Sequence, residues 1–388
     1  MQKSPFPKLN NTNLQRLAEV IRDPSALPGE TDNSAWEELV TTARDHRMAG
    51  ILVELVRLRE VPIPQDAYQR LRLTAAADAG HVHAMKSDLA RILAAFANAG
   101  VNVLVLKGCA LHATIYPRPD LRPASDIDLL VAPEDVPKAC RILEQSNCSP
   151  GQALLRPDFF PTFYYETEYH SNSMQGARID LHAYPLRPLR YSRMIPHHEF
   201  ASDATIVDVQ GVPFAIPSPT NMLIHLAAHA AFHGFERLIW LHDIKCWVDS
   251  HANQIDPRKL EDTCRRWGLT LPVAEALKAT AECCGGENLQ TLIDQLKQSP
   301  IKWQDRLVLR DAPDAAAHAA RHVLTTWLTT PGWLFRHRYL WAATVPCREH
   351  LGSIYPFRHV GWELAAFVYR TIRPIINVMT KRNAVSTG

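Results

Sequence analysis

The stretch VNVLVLKGCALHATIYPRPDLRPASDIDLLV, residues 101–131, contains two short apolar runs separated by a proline-rich segment. The first run ends at Lys107-Gly108, and the second begins with Asp126 and Asp128. Residues two apart on a strand share one face, so both carboxylates are expected on the same face. Like charges this close are costly unless a cation lies between them, and a divalent metal with oxygen ligands is the usual candidate. An isolated Asp-x-Asp is more often a solvated strand edge, so the rest of the chain decides its meaning.

Length and composition indicate an ordinary globular protein with more than one domain. The chain has 388 residues, which is more than one hydrophobic core usually organises. Its 46% hydrophobic and 21% charged residues exclude a disordered chain, and its net charge of +2 shows no bulk excess of basic residues for nucleic-acid binding. The cysteines lack paired metal-type spacing, and neither a secretory signal nor a long apolar segment is present. These features predict a cytoplasmic protein with reduced thiols and no transmembrane segment.

Hydrophobic periodicity divides the chain into three parts. Helical spacing dominates residues 1–99, strands and helices alternate over residues 100–216, and helical spacing returns over residues 217–388. Within the first part, a continuous helical pattern runs from Trp36 to Val56. The order of elements predicts an α+β protein, with a small mixed sheet flanked by N- and C-terminal helical regions.

A third carboxylate lies on a later strand candidate. Residues 163–170 and 177–184 read as a β-hairpin, and the segment ARIDLHAYP places Arg178, Asp180 and His182 alternately on one face of its second strand. One further strand is expected near residues 204–214.

Taken together, these features resemble the polymerase-β-like nucleotidyltransferase superfamily, in particular a bacterial branch with a Lys-Gly turn. The matching residues are Leu106, Lys107, Gly108, Tyr116, Arg122, Asp126 to Val131, and Asp180 to His182. The gap before the acidic pair is longer and richer in proline than in many members, and the turn carries Gly-Cys where those have Gly-Ser or Gly-Gly. The resemblance covers most of residues 30–250 and implies the fold of this superfamily.

The resemblance also implies the activity and the site. The expected reaction moves a nucleoside monophosphate from a nucleoside triphosphate such as ATP to an acceptor hydroxyl, with release of pyrophosphate and with two Mg²⁺ or Mn²⁺ ions. Asp126, Asp128 and Asp180 would be the catalytic and metal-binding residues. Nucleotide binding would fall to Lys107, Gly108, Arg122 and Ser125. The acceptor stays open between RNA, a protein, a peptide and a small molecule.

Two other functions remain as alternatives. The same fold can serve as a non-catalytic nucleotide- or partner-binding module. His225, His229 and His233 share one helix face and are followed by His242-Asp243, which is compatible with an HD-type metal phosphohydrolase. A zinc peptidase is disfavoured because no Glu follows the first His of a His-x-x-x-His pair.

The C-terminal end of the sequence suggests a further contact. It is locally basic, with Arg358, Arg370, Arg373, Lys381 and Arg382 beside Trp362, Phe367 and Val368. This composition is compatible with weak contact between the segment and an anionic surface or an RNA.

Overall fold

The computed structural model describes residues 11–151, 162–173, 176–314 and 318–344. It is a mixed α+β protein in which one seven-stranded sheet is flanked by helices, and this confirms the expected fold class. The basic C-terminal residues considered above lie outside the described ranges. In the part of the chain that is described, no helix combines the length and the apolar character needed to cross a bilayer.

The strands lie in the order β3-β4-β5-β2-β1-β7-β6. Their bounds are β1 Val103–Leu106, β2 Asp126–Val131, β3 Cys148–Pro150, β4 Glu166–Ser171, β5 Arg178–His182, β6 Thr205–Val209 and β7 Val212–Ile216. The central strands β1 and β2 pair antiparallel, whereas β2 pairs with β5, and β1 with β7, in parallel. The residues of β1 and β2 are almost wholly buried, which explains their nearly continuous apolar sequence.

Helices precede, interrupt and follow the sheet. Before it come α1 Thr12–Arg22, α2 Asn33–Asp45, α3 Ala49–Arg59 and α4 Gln65–Asn98. Between the strands lie α5 Lys107–Thr114, α6 Val136–Gln145, α7 Leu189–Ser192 and α8 His197–Phe200. After it come α9 Pro219–Phe232, α10 Leu238–Ser250, α11 Pro257–Trp267, α12 Thr270–Cys284, α13 Asn288–Leu296, α14 Trp303–Asp311, α15 Ala319–Thr329 and α16 Trp333–Thr344.

One large hydrophobic cluster joins these elements. Side chains from the leading helices, the sheet and the helices that follow it contribute to the same buried core. Trp36 of α2, Phe96 of α4 and Trp247 of α10 are among the largest fully buried side chains in it. The helical regions are therefore packed onto the sheet through apolar contacts, which stabilise their positions around it.

Two local predictions were wrong, and one strand was missed. The helical pattern from Trp36 to Val56 is split between α2 and α3, because Arg47 adopts a left-handed backbone with φ of 61°. The single strand expected near residues 204–214 is the hairpin β6–β7, which turns at Gln210 and Gly211, both with positive φ. The three-residue edge strand β3 was not predicted at all.

Candidate active site

The pairing of β2 with β5 places the predicted carboxylates on one face of the sheet. In this parallel pair, Asp128 lies opposite Asp180, and Asp126 lies opposite Arg178. Residues directly opposite in neighbouring strands point to the same side, and residues two apart along a strand do so as well. The register therefore brings Asp126, Asp128 and Asp180 to one surface, with Arg178 and His182 beside them.

Asp128 is the most deeply buried of the three carboxylates. Its Oδ1 atom lies 2.6 Å from the Lys107 ammonium and 2.9 Å from Nε2 of His182. Burial opposes its charged form, but Lys107 and His182 outweigh burial and hold the pKa of Asp128 below its usual range. Burial likewise opposes the charge on Lys107, yet the carboxylates of Asp128 and Asp126 raise the pKa of that lysine. Both groups are thus charged at neutral pH.

Asp126 and Asp180 share the guanidinium of Arg178. Nη2 of Arg178 pairs with Oδ2 of Asp126 and lies 3.0 Å from Oδ2 of Asp180. Arg178 favours the charged form of Asp180, but burial and the carboxylates of Glu166 and Asp128 oppose it more strongly. They raise the pKa of Asp180 to about 7. Asp180 is consequently poised to gain or lose a proton near neutral pH.

Glu166 is a fourth carboxylate that the sequence analysis did not identify. It begins β4 and lies opposite His182 in the antiparallel β4–β5 pair. Its carboxylate is 3.7 Å from Nε2 of His182. The alternation of Glu166 and Glu168 with neighbouring residues of β4 was the available signal, but it needs the hairpin register to connect them with Asp180.

A cavity of about 480 Å³ lies over this surface. All seven predicted site residues line it, namely Lys107, Gly108, Arg122, Ser125, Asp126, Asp128 and Asp180. Ser125 is exposed at its edge, whereas Arg122 is buried. The sequence-based residues are therefore gathered around one space, which is large enough for a small organic ligand.

The surroundings of Gly108 and Arg122 differ from the expectation that both face a triphosphate. A Cβ atom on Gly108 would lie 2.6 Å from Nη1 of Arg122, so the missing side chain makes room for this guanidinium. Arg122 in turn donates from Nη2 to Asp243 Oδ2 at 2.9 Å and from Nη1 to the Pro123 carbonyl at 3.1 Å. Most of its donors are thus engaged within the protein.

The histidines of the HD-type alternative do not form a metal site. Asp243 is engaged by Arg122, and Tyr116 donates to it at 2.8 Å. His242 lies 3.0 Å from the Tyr116 hydroxyl. His229 and His233 instead line the cavity. Burial, followed by the positive charges of Lys107 and Arg187 respectively, lowers the pKa of both, so they are neutral at pH 7.

The carboxylates fit a divalent cation in donor chemistry. In the described ranges, no three His, Cys, Asp or Glu side chains are already arranged around one metal position. Lys107 contacts Oδ1 of Asp128, and Arg178 contacts Oδ2 of Asp126 and of Asp180. However, Oδ2 of Asp128 is buried without a hydrogen-bond partner, and Asp180 lacks sufficient compensating charge. An orphaned carboxylate oxygen and an excess of negative charge are what a bound cation with oxygen ligands would relieve.

Comparison with known proteins identifies the family of this chain. No curated protein matches the sequence significantly. A family model described as "uncharacterised nucleotidyltransferase" matches residues 32–285, which is more than half of the chain. This range begins in the leading helices, includes the whole sheet and ends after α12. The chain therefore belongs to this family of uncharacterised nucleotidyltransferases.

Proposed function

We propose that this protein transfers a nucleoside monophosphate from a nucleoside triphosphate to an acceptor hydroxyl, using Mg²⁺ or Mn²⁺. The observation that carries the proposal is the β2–β5 register, which gathers three carboxylates from two strands at one cavity. Asp126, Asp128 and Asp180 would hold the cation. When bound, the cation would neutralise charge on the triphosphate and on the leaving pyrophosphate.

Asp180 has the properties of the group that accepts the proton of the acceptor. Without a bound cation, burial and the carboxylate of Glu166 raise the pKa of Asp180 to about 7, so this carboxylate is a base of suitable strength near neutral pH. The acceptor oxygen then forms a bond with the α-phosphorus while the bond from this phosphorus to the bridging oxygen breaks. Pyrophosphate leaves with the electron pair of the broken bond, and the proton of the hydroxyl remains on Asp180.

Lys107 and His182 orient the carboxylate of Asp128, and Lys107 also offsets its negative charge. Both contact the same oxygen of Asp128, so they fix its side chain and leave Oδ2 directed away from them. Arg178 bridges Asp126 and Asp180 in the same manner. Lys107, His182 and Arg178 would thus hold the carboxylates in place before substrate binds.

Pyrophosphate release tests the proposal. The wild-type protein would be assayed with Mg²⁺ and each of the four NTPs, against RNA, protein and small-molecule acceptor pools. Asp128→Asn, which keeps the size of the side chain, is the comparison. Mass spectrometry of the acceptor pool would identify an adduct of one nucleoside monophosphate. Equal pyrophosphate release by both proteins would refute the proposal, and binding of nucleotide without release would support a non-catalytic module.

A further inference from the structure

Besides Arg122 and Arg178, three arginines from outside the sheet line the cavity together with the carboxylates. Arg47 lies between α2 and α3, Arg187 follows β5, and Arg237 immediately precedes α10. All three are half-buried. They give the part of the cavity that lies outside the sheet a positive charge, with Glu236 as the acidic residue of the same lining segment.

The backbone holds Arg47 next to Arg237. The first amides of α10 donate to His46: the amide of Leu238 to its Nδ1 atom at 3.3 Å, and the amide of Ile239 to its carbonyl at 3.3 Å. Arg47 directly follows His46 and has a φ of 61°, which is unfavourable for a residue with a side chain. Two like charges are therefore kept side by side at the cavity by a conformation that itself costs free energy.

Few ion pairs among the described residues compensate these charges. In the described part of the chain, Arg187 and Arg237 form no ion pair, and the nearest carboxylate oxygen to Arg47 belongs to Asp78 at 4.0 Å. The guanidinium of Arg237 lies 5.5 Å from the ring centroid of Trp240, a contact that leaves its N–H donors available. Burial and the charge of Arg47 lower the pKa of Arg237. An anion at this position would offset the burial of the Arg237 charge and its repulsion from Arg47.

The other two arginines of the cavity, Arg122 and Arg178, are paired with carboxylates of the protein. Arg122 is bound to Asp243, and Arg178 is bound to Asp126 and Asp180. The cavity thus has carboxylates on the sheet that are paired with cations. On the surrounding loops it has three arginines, of which only Arg47 has an ion-pair partner among the described residues, Asp78 at 4.0 Å. Guanidinium groups bind phosphate oxygens in a bidentate manner, and several together suit a polyphosphate.

We propose that Arg47, Arg187 and Arg237 form the binding site for the polyphosphate tail of the nucleoside triphosphate. The assignment of this anion to the NTP rests on the proposed function. The main phosphate-binding role then belongs to residues of the helical region and of the loop after β5, and not to Arg122 in the loop before β2. The nucleotide is then held between the carboxylates at its α-phosphate and the arginines at its terminal phosphates.

Isothermal titration calorimetry with inorganic tripolyphosphate, ATP and adenosine tests this site. Arg237→Gln and Arg47→Gln are expected to weaken binding of tripolyphosphate and of ATP about tenfold or more, because each removes a charge-assisted contact. Binding of adenosine should be unchanged. Arg44→Gln is the matched control: it also removes one positive charge, but Arg44 is exposed and pairs with its neighbour Asp45. This control should stay within about twofold of wild type. If the variants of Arg47 and Arg237 unfold, Arg187→Gln provides the same test, because Arg187 lies away from the contact between His46 and α10.

The outcomes separate this site from the transfer reaction. Wild-type affinity for tripolyphosphate and ATP in all three variants, or no binding of tripolyphosphate by the wild type, would overturn the polyphosphate site even if pyrophosphate is released. A tenfold loss in the variants, together with no pyrophosphate release from any NTP, would support the polyphosphate site and refute the transfer reaction alone.

Discussion

Arg122 and Asp243 form a buried, bidentate ion pair between the loop that precedes β2 and helix α10. Nη2 of Arg122 lies 2.9 Å from Oδ2 of Asp243, and Nε lies 3.3 Å from each oxygen. Tyr116 donates to the same carboxylate at 2.8 Å. These polar contacts join the sheet to the helices behind it within the apolar core. They fix the walls of the cavity relative to each other.

The first prediction concerns the contribution of the Arg122–Asp243 pair to the free energy of unfolding. Asp243→Ala should lower the free energy of unfolding by about 3–5 kcal/mol, because it leaves the buried charge of Arg122 without a partner. The double variant Arg122→Met/Asp243→Leu should lose clearly less unfolding free energy than the sum of the losses in Arg122→Met and Asp243→Leu. Urea unfolding measures all of these. For the exposed pair of Arg44 and Asp45, the same double-mutant cycle should give an interaction energy below about 1 kcal/mol. Additive losses at the buried pair would contradict the account.

The second prediction concerns Gly108. Gly108→Ala should destabilise the protein by about 1–3 kcal/mol, because the new methyl group would lie 2.6 Å from a guanidinium that Asp243 holds in place. Gly80→Ala is the matched control, since Gly80 lies within α4 and its Cβ would meet no atom within 4 Å. That variant should be neutral or more stable by up to about 1 kcal/mol. Thermal unfolding of the two proteins compares them, and equal shifts in Tm would be inconsistent with the close contact.

The third prediction concerns acid sensitivity. His225 is buried, and neither ring nitrogen has a hydrogen-bond partner among the described residues. Burial and the charge of Lys107 lower the pKa of His225 to about 3. Because the folded state disfavours its protonation, its contribution to stability is complete above about pH 6.5 and is lost as the pH falls toward 3.

The variant His225→Leu should therefore lose less stability on acidification than the wild type. Between pH 7 and pH 5, we expect the difference in unfolding free energy to be about 2 kcal/mol. Urea unfolding at both values measures it. Parallel pH profiles for the two proteins would show that His225 is not the neutral, buried group described above.

The fourth prediction concerns the cation. The pKa of Asp180 is raised to about 7 by burial and neighbouring carboxylates, so its ionisation weakens the folded state as the pH rises from about 4 to 7. In EDTA at pH 8, Asp180→Asn should melt above the wild type, and the difference should disappear near pH 4. Added Mg²⁺ should raise the Tm of the wild type more than that of the variant, because the carboxylate is one of its proposed ligands. An equal response to Mg²⁺ in both proteins would argue against this ligand.

Much of the site was predictable because it depends on local patterns. The alternation of Asp126 with Asp128, and of Arg178 with Asp180 and His182, shows which side chains share a face without knowledge of the sheet order. The strand β2 likewise follows from the apolar run that begins with Asp126 and Asp128, and it lies over Asp126–Val131.

The remainder depends on contacts between distant parts of the chain. Asp243 lies 121 positions after Arg122, and nothing in the sequence around either residue identifies the other as its partner. Glu166 joins the carboxylates only through the register of the β4–β5 hairpin. Arg47 lies in a segment with an unbroken helical pattern, and its left-handed backbone is held by the packing of His46 against α10. Tertiary contacts override local propensity at this point.

The most direct test of the central claim follows the α-phosphate. The protein would be incubated with Mg²⁺, an acceptor pool and NTP labelled at either the α- or the γ-phosphate, in parallel with Asp128→Asn. We predict that the α-label appears in an acceptor, that the γ-label appears only in pyrophosphate, and that Asp128→Asn reduces both by at least about a thousandfold. Transfer of the γ-label to the acceptor, or equal transfer of the α-label by Asp128→Asn, would contradict nucleotidyl transfer at these carboxylates.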